Sequence, residues 1–296
     1  MWPPRWPRAA GDSQSEEPLD ELEYQRTASA TQGLSVPSAM IDLHSHVLHG
    51  IDDGPETIEG SVELARAAVA TGTRVLVATP HVSWSYPNDA DTIAELVDQL
   101  NARLHAEEIE LEIVAGAEIA MTRLVDMREE ELSRLSLGSG PFLLVEPPFA
   151  PAVTGLDMLV FDLQRQGHEI LIAHPERCPA FHREPEMLRE FVNEGILTSI
   201  TAGSLVGRFG GEVRRFALTM AREGMIHNVT SDTHDPVKRP PGVAAELRQA
   251  GLEPIQDWLT EQVPAAILSG TEIPSRPDVE LPGIEPKPRT WWRRRP

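Results

Sequence analysis

Seven short apolar runs, rich in Val, Ile and Leu and without polar alternation, constrain this chain more than any other feature. They are Ala39–Leu43, Arg74–Ala78, Leu111–Ala115, Phe142–Val145, Glu169–Ala173, Leu197–Thr201 and Ile226–Thr230. Runs of this kind suit strands covered on both faces, as in a parallel sheet. The stretches between them are amphipathic. Pro55–Ala70 places Ile58, Val62, Leu64, Ala65 and Val69 near one face, and Ala90–Ala106 repeats Ile93, Leu96, Val97, Leu100 and Leu104. Leu156–Gln166, Pro185–Glu194 and Glu212–Glu223 each stop at a glycine, and Gly72 follows the first helix. Glycine is the favoured residue just past a helix end. Helix, glycine, strand in repetition predicts an α/β fold, either a (β/α) barrel or a large doubly wound sheet.

The repetition is confined to residues 40–271, which are expected to form one domain with a large core. Residues 1–39 lack hydrophobic periodicity and the apolar segment of a signal peptide, and are expected to be a disordered tail. Residues 272–296 are Pro-rich, end in Trp291-Trp292-Arg293-Arg294-Arg295, and are expected to be a second tail. The net charge is −20, and the segment between the tails holds 36 acids against 17 bases. Such an excess of acid opposes nucleic acid, whose binding begins with Lys and Arg on phosphates. No apolar run approaches the ~18 residues that cross a bilayer, so a soluble chain without membrane insertion is expected. A single cysteine excludes an internal disulfide framework and a multi-Cys zinc site.

Chemistry in βα folds gathers where the carboxyl ends of the strands meet. Six of the seven runs are followed there by His, Asp or Glu: His44-Ser45-His46 with Asp52-Asp53, His81, Glu118, Glu146, His174 and Asp232-Thr233-His234. One such residue alone is usually a hydrogen-bonded structural group. Together, five histidines and four carboxylates at one rim would stay unpaired unless cations held them. His44, His46, Asp53, His81, Glu118, Glu146, His174, Asp232 and His234 are therefore the expected metal ligands. Nine ligands exceed what one ion accepts and suit two or three, and imidazole with carboxylate favours Mn, Fe or Zn over Ca. His49, His105, His168, His182 and His227 lie elsewhere and read as packing or solvent residues. The only lysines, Lys238 and Lys287, lie past the last ligand, so a carboxylated lysine cannot bridge ions here as in many amidohydrolases. A glutamate must do so.

These residues resemble the PHP (polymerase and histidinol phosphatase) superfamily of metal-dependent phosphoesterases, and most closely its CpsB/YwqE-type tyrosine phosphatases of bacterial capsule and exopolysaccharide synthesis. The resemblance runs from Met40 to about Pro240. It rests on Ile41-Asp42-Leu43-His44-Ser45-His46, Gly50-Ile51-Asp52-Asp53-Gly54, Ala78-Thr79-Pro80-His81, Ala173-His174-Pro175-Glu176-Arg177, Ile200–Leu205 with Gly207-Arg208-Phe209-Gly210, and Ser231-Asp232-Thr233-His234. It implies a distorted (β/α)7 barrel with three divalent ions at the carboxyl ends of the strands, Mn first, with Fe, Zn or Mg as alternatives. Its substrate-facing arginines fall on Arg177 and Arg239. Arg208, in a Gly-rich segment, is expected at the substrate rim. Glu146-Pro147-Pro148-Phe149 departs from relatives that often carry a bulkier residue directly after the glutamate.

The expected reaction is hydrolysis of phosphotyrosine by a hydroxide shared between two ions. The implied substrate is the Tyr-rich tail of a bacterial tyrosine kinase that controls polysaccharide export, met in the cytoplasm. The alternatives are a small-molecule phosphatase of the histidinol-phosphate type and a metal-stabilised binding module without turnover. Cys178 cannot act as in thiol phosphatases, because position 184 of a Cys-x5-Arg loop is Glu. Neither a general acid nor an oligomeric state is assigned.

Overall fold

The computed structural model describes residues 40–138 and 140–281. The N-terminal tail expected over residues 1–39, and residues 282–296 of the C-terminal one, lie outside the described residues. Nine strands follow in chain order: β1 (Met40–Ser45), β2 (Thr73–Ala78), β3 (His81–Val82), β4 (Glu112–Ala115), β5 (Glu118–Ala120), β6 (Phe142–Glu146), β7 (Glu169–Ala173), β8 (Leu197–Thr201) and β9 (Asn228–Thr230). The seven apolar runs are all there. Two of them are followed by a further short strand: Thr79-Pro80 separates β2 from β3, and Gly116-Ala117 separates β4 from β5. Pro80 has no amide hydrogen to continue a ladder, and its carbonyl instead accepts from Glu118 N at 3.1 Å.

Every strand pairing is parallel, in a three-stranded sheet β1-β2-β4 and a six-stranded sheet β3-β5-β6-β7-β8-β9. The fold is thus α/β with parallel sheets, and among the described residues the ladders do not close into one ring. The first and last strands still touch. Ser45 bridges Thr233, His46 N donates to Thr233 O at 2.9 Å, and Asp232 N donates to His44 O at 3.1 Å. The register of β1 against β2 shifts between Asp42 and Ser45, an irregularity that re-aims side chains at the strand end.

The expected helices form close to their expected limits. Ile58–Ala70 is capped by Thr57, whose hydroxyl accepts from Gly60 N, and Ala90–Ala106 by Asp89, which accepts from Thr92 N at 2.8 Å. Leu156–Arg165 and Pro185–Asn193 bury one stripe each against β7 and β8, and Gly211–Glu223 packs on the short helix Ala202–Val206 and the turn Pro175–Arg177. Leu43, Leu76, Val77, Leu144 and Leu171 from the strands, with Leu64, Leu100 and Phe191 from the helices, are essentially inaccessible. Each such side chain contributes ~1.5–3 kcal/mol of burial. Beyond Thr271, the expected domain boundary, residues 272–281 have no regular secondary structure but remain attached. Trp258 Nε1 donates to Pro274 O at 2.9 Å and Arg276 to Ala221 O at 3.3 Å.

Candidate metal centre

The nine expected ligands converge at the carboxyl ends of the strands. Glu118, the first residue of β5, is at the middle. Its Oε2 stands 3.3 Å from His44 Nε2, 3.4 Å from His46 Nε2 and 3.0 Å from His81 Nδ1, and its Oε1 is 2.7 Å from His174 Nε2. The two His-x-His nitrogens approach to 3.3 Å, as side chains two apart at a strand end allow. Asp53 Oδ1 lies 3.6 Å from His81 Nε2 and 3.3 Å from His234 Nε2, and Asp232 Oδ1 lies 3.6 Å from both His44 and His46. Glu146 is the outlying member, 3.9 Å from His174. His174 (φ 31°) and Asp232 (φ 53°) hold left-handed backbone conformations that non-glycine residues rarely adopt. Such strain, ~1–3 kcal/mol per residue, collects at functional sites.

Three groups of donor atoms lie close enough to share an ion: His46, Asp53, His81 and His234; His44, His46 and Glu118; and His81, Glu118 and Glu146. The charge balance fits cations. Burial works against ionising Glu118, but the charge of His44 and hydrogen bonds from His174, His44 and His46 hold it well below the usual carboxylate range. Burial and the Glu118 charge then push Glu146 up to about 7. Two neighbouring carboxylates driven apart in this way both ionise readily only beside added positive charge. Burial would lower His46, yet hydrogen bonds to Asp52 and Glu118 raise it to about 10. Burial lowers His174 and His234. The donors are nitrogen and oxygen without thiolate, which suits a divalent ion of the Mn, Fe, Zn or Mg kind.

Several residues that the sequence did not single out position this centre. Asp52 Oδ2 accepts from His46 Nδ1 at 2.7 Å and from His81 N at 3.1 Å, leaving His46 Nε2 facing the cluster. Gly54, from which Asp52 Oδ1 also accepts, has no room for a side chain, since a Cβ would fall 2.1 Å from His46 O. Asp42 accepts from His44 N at 3.3 Å and Ser231 N at 3.2 Å, joining the first strand to the segment after β9; burial pushes its carboxyl up to about 6. Glu176 is fully buried, accepts from Thr201 N at 3.0 Å and Ser204 Oγ at 2.6 Å, and burial pushes it up to about 7. Asp42, Asp52, Gly54 and Glu176 all stand in the motifs that carry the resemblance, which assigned them no role.

The expected arginines also reach the centre. Arg177 Nη1 and Arg239 Nη2 donate to Asp232 Oδ2 at 2.7 and 2.6 Å, and Arg239 Nη1 meets His234 Nε2 at 2.7 Å. Arg239 Nε is buried without a partner. A cavity of about 100 Å³ adjoins Arg239, lined also by Thr201, Phe209 and Lys238 among others. Arg208 lines the same cavity, but its guanidinium is held 2.5 Å from Glu246 rather than at Asp232. Of the histidines expected to pack or face solvent, His182 has no hydrogen bond to the cluster and instead meets the Glu176 carbonyl at 2.6 Å. His227 packs on Trp258. Cys178 is buried, and burial pushes its thiol up, as befits a filler.

Comparison with known proteins fits this geometry. Tyrosine-protein phosphatase YwqE of Bacillus subtilis (strain 168) is 39% identical over 197 residues, 66% of this chain and 78% of that protein. The putative tyrosine-protein phosphatase CapC of Staphylococcus aureus is 32% identical over 204 residues, 68% of this chain and 79% of its own. A crystal structure from work on YwqE of Bacillus subtilis and CpsB of Streptococcus pneumoniae, described as unique metal-dependent tyrosine phosphatases, superposes with a TM-score of 0.69 at 32% identity, over 84% of this chain and all of that one. The family model for capsular polysaccharide synthesis, CpsB/CapC, matches residues 40–253. The chain belongs to the CpsB/CapC family.

Proposed function

We propose that this protein is a metal-dependent protein-tyrosine phosphatase that removes phosphate from the tyrosine-rich tail of a bacterial tyrosine kinase governing capsule or exopolysaccharide synthesis. The observation that carries this reading is the meeting of an imidazole and carboxylate cluster with two arginines at Asp232, beside a cavity. The nine cluster residues would hold three ions, Mn first, at the carboxyl ends of a distorted (β/α)7 barrel spanning residues 40–271. The reaction would proceed in the cytoplasm.

Bound divalent ions would supply Lewis-acid stabilisation of phosphoryl oxygens and activation of water near neutral pH. The chain's own residues do the rest. Arg177 and Arg239 present charged donors to the equatorial oxygens, where charge accumulates in phosphoryl transfer. The unpartnered Arg239 Nε is a donor that an anion would satisfy. Arg208 stands at the cavity rim to meet the substrate. Asp52 fixes the tautomer of His46, and Glu118 holds four imidazoles in place. A phenolate, with a pKa of ~10, leaves without strong protonation, so no general acid is required of this site.

Turnover of a phosphotyrosine peptide and of histidinol phosphate by the Mn-loaded protein tests the reading. A clear preference for the peptide is expected. Equal or reversed preference would overturn it in favour of the small-molecule phosphatase.

A further inference from the structure

Phe149 and Phe209 enclose the Arg177 guanidinium. The guanidinium carbon lies 5.3 Å from the Phe149 ring centre and 4.5 Å from that of Phe209. The two rings differ in role. Phe209 is half-buried in the wall of the cavity beside Arg239, and a Cβ on Gly203 would come within 3.2 Å of its ring, so this glycine lets Phe209 settle over the start of helix Ala202–Val206. Phe149 follows β6 and Glu146, stacks on the His174 ring at 5.6 Å and 24°, and yet is 52% exposed. A large aromatic side chain beside two of the most polar groups of the protein leaves part of its apolar surface to solvent.

We infer that Phe149 is the specificity-determining residue that receives the aryl group of the substrate, so that the site selects aryl over alkyl phosphate monoesters. The inference rests on the phosphatase reading above and names the substrate feature behind it. In an aryl phosphate the ring begins one oxygen from phosphorus. A phosphoryl group held by Arg177 therefore brings its ring to the side chains flanking that arginine, and Phe149 is the more exposed of the two. Ring against ring in offset or edge-to-face contact adds to the burial of both. An alkyl phosphate makes the same contacts to Arg177 and Arg239 but not this one. Phe209, by contrast, acts through Arg177 and is a positioning residue.

Calorimetric binding of benzylphosphonate, whose methylene replaces the ester oxygen of an aryl phosphate, and of inorganic phosphate to the Mn-loaded protein separates these roles, because neither probe has a leaving group. Phe149→Ala should weaken benzylphosphonate roughly two- to twelvefold, the ~0.5–1.5 kcal/mol of an aromatic pair converted at ~1.4 kcal/mol per factor of ten, and inorganic phosphate by less than about twofold. Phe149→Trp should restore the preference, and Phe209→Ala should weaken both probes alike. Equal weakening of both probes by Phe149→Ala would reduce Phe149 to a support for Arg177 and overturn the inference, as would no change in either. If the wild-type protein turns over a phosphotyrosine peptide and Phe149→Ala keeps the phenyl preference, the inference alone falls. If the wild-type protein neither binds inorganic phosphate nor hydrolyses the peptide, the phosphatase reading falls and takes the inference with it.

Discussion

Replacing Asp52 by asparagine tests whether the metal centre depends on a residue that holds a ligand without being one. The Asp52 side chain is buried, its Oδ2 accepts from His46 Nδ1 and His81 N, and its Oδ1 accepts from Gly54 N. Asparagine keeps one acceptor and turns the other into a donor. With the amide nitrogen at the Oδ2 position, it opposes His81 N–H and forces His46 to carry its proton on Nε2, the nitrogen that faces His44, Glu118 and Asp232. With the amide reversed, it opposes Gly54 N–H. Each orientation leaves at least one buried N–H unpaired, at ~1–3 kcal/mol. Loss of such an orienting partner typically weakens metal affinity ~10–100-fold.

The consequence can be read in stability. At free Mn of ~100 times the wild-type dissociation constant, mass action adds ~2.7 kcal/mol to folding for a site that only the native state forms. A constant ~10–100-fold larger at the same Mn concentration leaves ~1.4 to ~0.4 kcal/mol. Urea unfolding of wild type and Asp52→Asn, with chelator and with Mn, gives both increments. If the variant loses stability in chelator but keeps the full Mn increment, Asp52 supports only the fold and the reasoning fails.

The other expectations are separable by their readouts. His44→Ala with His46→Ala should abolish both Mn binding and hydrolysis while circular dichroism stays native; retained hydrolysis would remove the centre from the chemistry. Arg239→Ala should raise the KM for a phosphotyrosine peptide and the dissociation constant of phosphate, since a charged hydrogen bond is worth ~1.5–3 kcal/mol; unchanged phosphate affinity would exclude it. Glu176→Ala should cost ~2–5 kcal/mol by orphaning Thr201 N and the Ser204 hydroxyl, whereas Glu176→Gln, which keeps one acceptor, should cost far less; equal losses in denaturant melts would contradict this. Burial and then the charge of Arg276 lower His227 to about 4. Its proton is therefore bound by the unfolded chain before the native one, and its contribution, complete above pH ~6.5, is lost as pH falls towards 4, by up to ~3 kcal/mol. His227→Gln should flatten that part of the stability profile measured in urea after chelation; an unchanged slope would place the effect elsewhere.

Much of the centre was legible because its ligands sit directly after apolar runs. His44 is near the end of β1, His81, His174 and Asp232 follow β2, β7 and β9 within a few residues, and strand direction alone sends them to one rim. The helix Ala90–Ala106 was legible too, from its apolar period. What escaped has equally definite causes. β3 and β5 are two and three residues long and begin on His81 and Glu118, so they carry no apolar pattern to detect. Asp52 and Asp53 are adjacent acids, and which one faces inward depends on the turn that Gly54 permits against His46 O. The contact of Arg177 with Asp232 joins residues 55 apart and exists only once β7 and β9 flank β8. The ring of Phe149 has no periodic partner and lies in a Pro-rich turn, where sequence patterns say nothing of direction.

The acidity of the domain and its proposed anionic substrate are reconciled at Asp232. This carboxylate is buried among His44, Arg239, His174 and His46, whose charges hold it ionised against the cost of burial. Both arginines that would grip phosphate are spent on it, through Arg177 Nη1 and Arg239 Nη2. A cation held at the imidazole cluster would meet Asp232 through Oδ1, the oxygen 3.6 Å from His44 and His46, and would neutralise the carboxylate whose Oδ2 holds both arginines, weakening that hold next to the cavity. Because such coupling is reciprocal, an anion that draws the arginines away from Asp232 must also tighten the cation. Positive charge brought to the centre would thus do more than offset the acids: it would loosen two guanidinium groups from an internal carboxylate and leave them readier for an external phosphate. A strongly acidic surface still repels polyanions at a distance, while this exchange operates only within hydrogen-bond reach, where one phosphoryl group, and not a nucleic acid backbone, can enter.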